Sequence, residues 1–128
     1  LWIGSTEGLI RYDGRRFELY DNRRVPALGT NEVQALAEDG RGGLLVGMAG
    51  GQLLAGQAGD LQRIGFSLER PFAIRAAADG GVLTCTVSGV QHWISGQARD
   101  LVRLPDEARC FAIRQPRWLV MSKHSAVV

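Results

Sequence analysis

Two arginines of this sequence have the chemistry to hold an anionic group. Arg75 and Arg114 each close an identical Phe-Ala-Ile-Arg tetrapeptide, and the two copies stand 39 residues apart. Arginines repeated at one mouth of a channel would clamp a carboxylate or sulfate with paired hydrogen bonds. The alternative is a solvated strand end with a salt bridge.

A tryptophan and a histidine complete the candidate ligand-binding set. Trp93 follows Gln91 and His92, so its indole lies in polar surroundings and offers a flat face to a sugar ring, with burial in the core as the alternative. His92 is a candidate for a pH-sensitive contact. We therefore predict Arg75, Arg114, Trp93 and His92 as ligand-binding residues, whereas Trp2 and Trp118 lie in apolar runs and should pack in the core.

No arrangement of residues predicts catalysis, a metal or a cofactor. The sequence has no phosphate-binding glycine loop and no Ser-His-Asp or Cys-His motif. His92, His124, Cys85 and Cys110 lack the spacing of metal ligands. Asp13, Asp39 and Asp79 read as turn residues. We expect no enzymatic activity from this segment.

The two cysteines admit two states. Cys85 and Cys110 lie 25 residues apart without a CxxC pattern. We expect buried free thiols, and a disulfide is the alternative that would need the two Cα atoms within about 7 Å.

Composition excludes several partners. Fifteen basic and thirteen acidic residues leave a net charge of +2, and the basic residues are spread along the chain, so we expect no nucleic-acid binding. No apolar run is long enough for a membrane span, and no signal peptide opens the chain. The chain begins within a strand-like run and reads as a segment of a longer protein.

A repeat organises the elements that must position these side chains. An apolar run followed by a glycine turn starts at residues 1, 44 and 82, and the run returns at 118 with Ser125 in the glycine position; the spacings are 43, 38 and 36 residues. Strands are predicted near 33–38, 44–48, 52–55 and 61–64, and again near 71–76, 82–86, 90–94 and 101–104. A four-stranded unit of about 40 residues is the signature of a propeller blade.

The sequence therefore predicts an all-β fold over residues 1–128. We expect a β-propeller fragment of about three four-stranded antiparallel blades in an incomplete ring. The blade repeats should start near 1, 33, 71 and 110, with the first and last blades incomplete.

Three runs of the first repeat resemble a known family. They are Leu-Trp-Ile-Gly-Ser at 1–5, Gly-Leu-Ile-Arg-Tyr-Asp at 8–13 and Phe-Glu-Leu-Tyr at 17–20, and the pattern continues through Asn-Glu-Val at 31–33. Together they resemble the two-component regulator propeller repeat, closely over residues 1–47 and more weakly afterwards.

This resemblance implies the sensor domain of a bacterial signal-transduction protein. Members place the propeller on the periplasmic side of a membrane anchor, ahead of a histidine kinase or diguanylate cyclase module. The implied partners are the remaining blades, a small ligand such as a saccharide, and a second copy in a homodimer. We expect the ligand at one mouth of the ring, near Glu7, Arg75, Ser88 and Arg114. A structural or protein-binding propeller and a carbohydrate-active propeller enzyme are the alternatives.

Overall fold

Antiparallel strands account for nearly all the regular structure. The computed structural model describes residues 1–103 in full, and the backbone alone of 108–113, 118–122 and 126–127. Within these ranges there is no α-helix, and the only helical residues form the 3₁₀ turn Pro26–Leu28. The predicted scarcity of helix is confirmed. None of these residues belongs to a helix able to cross a bilayer.

The strands form four antiparallel meanders, each in sequence order. The first sheet contains β1 (Trp2–Ser5), β2 (Gly8–Tyr12) and β3 (Phe17–Tyr20). The second contains β4 (Val33–Glu38), β5 (Leu44–Met48), β6 (Gln52–Gln57) and β7 (Asp60–Phe66). The third contains β8 (Ala73–Ala76), β9 (Val82–Thr86), β10 (Gly89–Ile94) and β11 (Gln97–Arg103). The fourth contains β12 (Ala108–Ile113), β13 (Trp118–Ser122) and β14 (Ala126–Val127).

The sheets follow one another like the blades of a propeller. Strand β4 lies beside β8, β8 lies beside β12, and β1 lies beside β4, so the inner edges of successive sheets meet. The described sheets do not close into a ring. The predicted fold class, an all-β propeller fragment with an incomplete ring, is confirmed.

Short aspartate turns join successive strands within the first three sheets. The carboxylate of Asp39 accepts hydrogen bonds from the backbone amides of Arg41 (2.7 Å) and Gly43 (2.9 Å) between β4 and β5. Asp79 accepts one from Gly81 (2.9 Å) at the same place in the third sheet. Asp13 holds the turn between β2 and β3 in the same way. The turn role predicted for the three aspartates is confirmed.

Apolar side chains on both faces of each sheet build the core. Alternate residues of a strand point to opposite faces, and in β5 Val46 and Met48 face the first sheet whereas Leu45 faces the third. The core between the first and second sheets also takes in Leu54, and Trp2 packs against it as predicted. The side chain of Trp118 lies outside the described residues.

One prediction about the cysteines is wrong. We expected free thiols, but Cys85 is disulfide-bonded. The physical reason lies in the topology, because β9, which carries Cys85, lies beside β12, the strand that holds the second cysteine of the sequence at position 110. The side chain of Cys110 is outside the described part of the chain.

Candidate functional site

The side chain of Trp93 packs between the second and third sheets. Its side chain is buried, with 6% of the residue exposed, and its indole Nε1 donates a 2.9 Å hydrogen bond to the hydroxyl of Thr84. The ring packs against Gly65 of β7, where a Cβ atom would stand 2.6 Å from Cε3 of the indole. Only glycine allows this close approach. Of the two alternatives for Trp93, its surroundings are those of the core.

The Trp93 side chain separates two clefts between these sheets. One cleft, of about 620 Å³, lies at the end that carries the β9–β10 turn and the crossing from β7 to β8. We call it the Glu69 cleft. The other, of about 410 Å³, lies at the end that carries the β4–β5, β8–β9 and β10–β11 turns. We call it the Arg41 cleft. An edge of Trp93 borders both.

Glu69 joins the second and third sheets by hydrogen bonds at this cleft. Glu69 lies in the crossing from β7 to β8. Its carboxylate accepts hydrogen bonds from the hydroxyl of Ser88 and from the Ser88 backbone amide (3.2 Å). Ser67, which is buried, holds the same crossing by donating a 2.6 Å hydrogen bond to the backbone carbonyl of Glu69. The hydrogen bonds with Ser88 and Ser67 therefore hold the Glu69 carboxylate in one position.

Both carboxylates of this cleft are ionised at neutral pH. The pKa of Glu69 lies below its usual value because the hydroxyls of Ser88 and Thr86 donate to the charged form. The pKa of Asp100 is also lowered, first by the Gln91 amide (3.1 Å) and then by Arg103 (3.2 Å). Two acidic groups against one guanidinium leave the cleft with a net negative charge.

Apolar side chains line the other part of the Glu69 cleft. Leu68 and Phe66 are both exposed, at 95% and 49%, although they flank the buried Ser67. An aromatic ring beside fixed carboxylates and an amide is the combination that binds a sugar, because the ring covers the apolar face and the polar atoms meet the hydroxyls. The arrangement can therefore hold a small neutral polyol.

The predicted ligand residues do not meet at one place. Arg75 pairs with Leu83, and Leu83 pairs with His92, so Arg75 and His92 lie in one row on one face of the third sheet. Two strand spacings put them about 10 Å apart. Trp93 points to the opposite face. Arg114 lies outside the described residues.

His92 has a partner within its own sheet. Its Nε2 lies 3.0 Å from Oδ2 of Asp79, in the turn between β8 and β9. The pKa of Asp79 lies below its usual value because the Gly81 amide, and then His92, bond its charged form. The pair closes the β8–β9 turn against β10, which is a structural role that the sequence pattern did not show.

The loops expected at one mouth lie at two different ends. Ser88 follows β9 at the end of the Glu69 cleft, and Glu7 lies in the matching turn between β1 and β2. Arg75 is one residue from the end of β8 that meets the start of β9, which is the opposite end of the sheet. The expectation that Arg75 and Ser88 share a mouth is wrong, because a hairpin places its turn and its free ends on opposite sides.

Sequence reasoning missed the carboxylate that anchors the cleft. Glu69 lies in the crossing from β7 to β8, and none of the in-phase markers of the repeat falls on this crossing, so the sequence pattern did not single it out. The signal that was present is the Ser-Leu-Glu order at 67–69, in which a serine two residues before the glutamate can hold a turn. No group of three or more His, Cys, Asp or Glu side chains is placed to hold a metal within the described residues, and His124 lies outside them.

Comparisons with protein-family models, with curated proteins and with solved structures found no match to this chain. The site and the repeat pattern are thus the two sources from which a function can be inferred.

Proposed function

We propose that this chain is part of a ligand-sensing propeller of a membrane-anchored bacterial signal-transduction protein, and that a small neutral saccharide binds in the Glu69 cleft. The observation that carries the proposal is the bond between Glu69 and Ser88, which joins two successive sheets inside an open cleft of about 620 Å³. The repeat pattern, which resembles sensor propellers, supports the periplasmic setting and the kinase or cyclase output.

The chemistry of the cleft favours a neutral, hydroxyl-rich ligand. Its volume falls within the range of about 300–1,000 Å³ that small-molecule sites occupy. The ionised carboxylates of Glu69 and Asp100 accept hydrogen bonds from hydroxyl groups, which are stronger than bonds between neutral partners. Their charge repels an acidic sugar at the same position.

The same carboxylates favour binding over hydrolysis. A glycoside hydrolase needs a general acid whose pKa is raised, so that the carboxyl carries a proton at the working pH. The pKa values of Glu69 and Asp100 are both lowered by their hydrogen-bond donors. Neither group is protonated at neutral pH, so the described cleft supports recognition of a sugar rather than cleavage.

A ligand in this position would couple the two sheets. One wall belongs to the crossing that enters the third sheet, and the other to the β9–β10 turn and the outer strand β11. A saccharide that contacts both walls would favour the arrangement in which they are closest. Such a difference in affinity between two arrangements is what a sensor requires.

Titration of the 128-residue chain with maltose, cellobiose and xylobiose, followed by NMR, tests the proposal. We expect at least one disaccharide to shift the signals of Ser88 and Gln91, with binding about tenfold weaker in Glu69→Gln because a hydrogen bond to a charged acceptor is lost. Glu38→Gln, an exposed glutamate at the far end of β4, is the matched control and should bind like the wild type. Absence of shifts with all three sugars, or equal affinity in Glu69→Gln, would contradict the proposal.

A further inference from the structure

Strand β1 lacks a neighbour that its counterparts have. The repeat aligns residues 1–5 with residues 44–48 and 82–86, so β1, β5 and β9 hold the same position in their sheets. We call β4 and β8, the first strands of the second and third sheets, the inner strands. β5 lies between β4 and β6, and β9 lies between β8 and β10, whereas β1 pairs with β2 alone among the described strands. The place of an inner strand beside β1 is therefore empty.

The surroundings of two equivalent glycines show the same difference. A Cβ atom at Gly47 of β5 would meet Pro71, from the crossing into the next sheet, at 2.8 Å and Ala35 of the inner strand β4 at 3.3 Å. A Cβ atom at Gly4 of β1 would meet Val33 of the next sheet at 2.7 Å. Apart from the chain neighbours of Gly4, no other described residue lies within 4 Å of that point. The contact from the following sheet is present at both glycines, and the contact from an inner strand is missing at Gly4.

Burial along the three equivalent strands separates this gap from the open face of the first sheet. Every residue of β5 and of β9 is buried, but β1 exposes Ile3 and Gly4. Neighbouring residues of a strand point to opposite faces, and Gly4 is on the face that Val33 of the second sheet covers. The exposure of Gly4 therefore follows from the missing inner strand and not from the uncovered face.

Two residues of β1 direct their backbone groups toward the free edge. The Leu1 amine donates to the carbonyl of Tyr12 (3.1 Å), and the Tyr12 amide donates to the carbonyl of Leu1 (2.9 Å). Hydrogen-bonded pairs alternate with unbonded pairs in an antiparallel ladder, so Ile3 bonds to β2 whereas Trp2 and Gly4 face away from it. Within the described part of the chain, no hydrogen bond joins the backbone groups of Trp2 and Gly4 to another element. Such a row of free groups is a template for a further strand.

We propose that the free edge of β1 binds a separate extended polypeptide segment with the residue pattern of β4, which pairs antiparallel with β1 as an added inner strand. The segment should place a small residue opposite Gly4, because Ala35 stands opposite Gly47 and Ala73 stands opposite Cys85 at the same position of the repeat. In strand addition the main chain supplies the affinity and alternate side chains supply the specificity. This inference rests on the strand pairing and stands whether or not a saccharide binds in the Glu69 cleft.

Hydrogen exchange of the whole chain, followed by NMR, tests the proposal with a synthetic peptide that has the sequence of residues 31–39. We expect the amides of Trp2 and Gly4 to exchange about tenfold more slowly in saturating peptide, because both become hydrogen-bonded. The matched control is the same peptide with Ala37→Pro. Ala37 stands opposite Leu45, the counterpart of Trp2, and proline lacks the N–H that the ladder needs. The control peptide should leave the exchange unchanged.

A covalent version removes the entropic cost of association. A copy of residues 31–43 joined directly before Leu1 reproduces the β4–β5 hairpin, and it should protect Trp2 and Gly4 and raise the melting temperature above that of the same extension with Ala37→Pro. The proposal fails if neither the peptide nor the extension protects these amides, or if the proline versions act equally well. It also fails if the peptide changes exchange at Leu45 and Gly47 instead, which would mean replacement of β4. Protection that rises with chain concentration without peptide would assign the edge to a second copy and overturn the proposal.

Discussion

One face of the second sheet and one face of the first sheet carry the same pattern of apolar side chains, but the former is buried and the latter is exposed. In the second sheet Val46 pairs with Leu54, and both are fully buried against the first sheet. In the first sheet Ile3 pairs with Ile10 at the equivalent register, and Ile3 is 37% exposed on the face that points away from the second sheet. Phe17 and Leu19 of that open face are 70% and 44% exposed.

The two faces differ in exposure because only one of them is covered by a neighbouring sheet, although both carry apolar residues. A blade within a propeller packs between two others, so both of its faces carry apolar side chains. The second sheet has a neighbour on each side and buries both faces, whereas the open face of the first sheet carries the same kind of side chain without a cover. The open face is therefore built for a contact of the same kind as the covered one.

Leucine-to-alanine substitutions on the two faces should give the largest contrast. Leu54→Ala leaves a cavity in the core between the first and second sheets, and we expect it to lower the free energy of unfolding by about 2–5 kcal/mol. Leu19→Ala removes a side chain that is 44% exposed and has no covering sheet, so its cost should stay below about 1 kcal/mol. Denaturant titration of both variants beside the wild type measures this, at a concentration low enough to keep the chain monomeric. Equal losses in the monomer would contradict the difference between the two faces.

Reduction of the disulfide should weaken the contact of the third sheet with the fourth. Cys85 is disulfide-bonded, and the sequence has one other cysteine, Cys110. A bridge across such a loop stabilises a small domain by about 2–4 kcal/mol. We expect dithiothreitol and Cys85→Ser to lower the melting temperature by the same amount. A melting temperature that dithiothreitol leaves unchanged would mean that the bridge does not contribute to stability.

Removal of the acceptor for Trp93 should have a smaller effect on the contact of the second sheet with the third. Thr84→Val keeps the shape of the side chain but leaves the indole N–H unpaired in a buried place, at a cost of about 1–3 kcal/mol. Thr30→Val, at an exposed position, is the control and should stay within about 0.5 kcal/mol. Tryptophan fluorescence during unfolding follows the change. A Thr84→Val variant as stable as Thr30→Val would show that the hydrogen bond from Trp93 to Thr84 does not stabilise the contact between the two sheets.

Acidification should have the smallest effect, and its sign follows from the lowered pKa values. A carboxyl whose pKa is lower in the folded chain stabilises the fold above its unfolded pKa, and that stability is lost as the pH falls through the folded pKa. For Glu69 the loss should begin below about pH 4.5, near the reference value for glutamate. Because the group is largely solvated, we expect under about 1 kcal/mol. Glu69→Gln should flatten this part of the stability profile measured between pH 6 and pH 3, and an unchanged profile would argue against the bond to Ser88.

The strands were predictable because their signals are local. The expected runs at 33–38, 44–48 and 82–86 agree with β4, β5 and β9, where apolar segments end at glycine or aspartate turns. Strand β11 begins at Gln97 and not at 101, because polar residues continue the hairpin past the Ser95–Gly96 turn. Both turn residues have positive φ, as a two-residue hairpin requires.

The sites were harder to predict because they form between repeats. Trp93 meets Gly65, and Glu69 meets Ser88, across gaps of 28 and 19 residues that no repeat marker connects. Packing between sheets, which depends on the three-dimensional stacking, determines all of these contacts.

Sedimentation velocity over a range of concentrations tests the equivalence of the two faces most directly. We predict that the wild-type chain associates as its concentration rises, because the open face of the first sheet exposes Phe17 and Leu19. Leu19→Lys should abolish this association, whereas Leu68→Lys, at a leucine 95% exposed outside that face, should leave it unchanged. A wild-type chain that remains a monomer at every concentration and unfolds cooperatively would contradict the account.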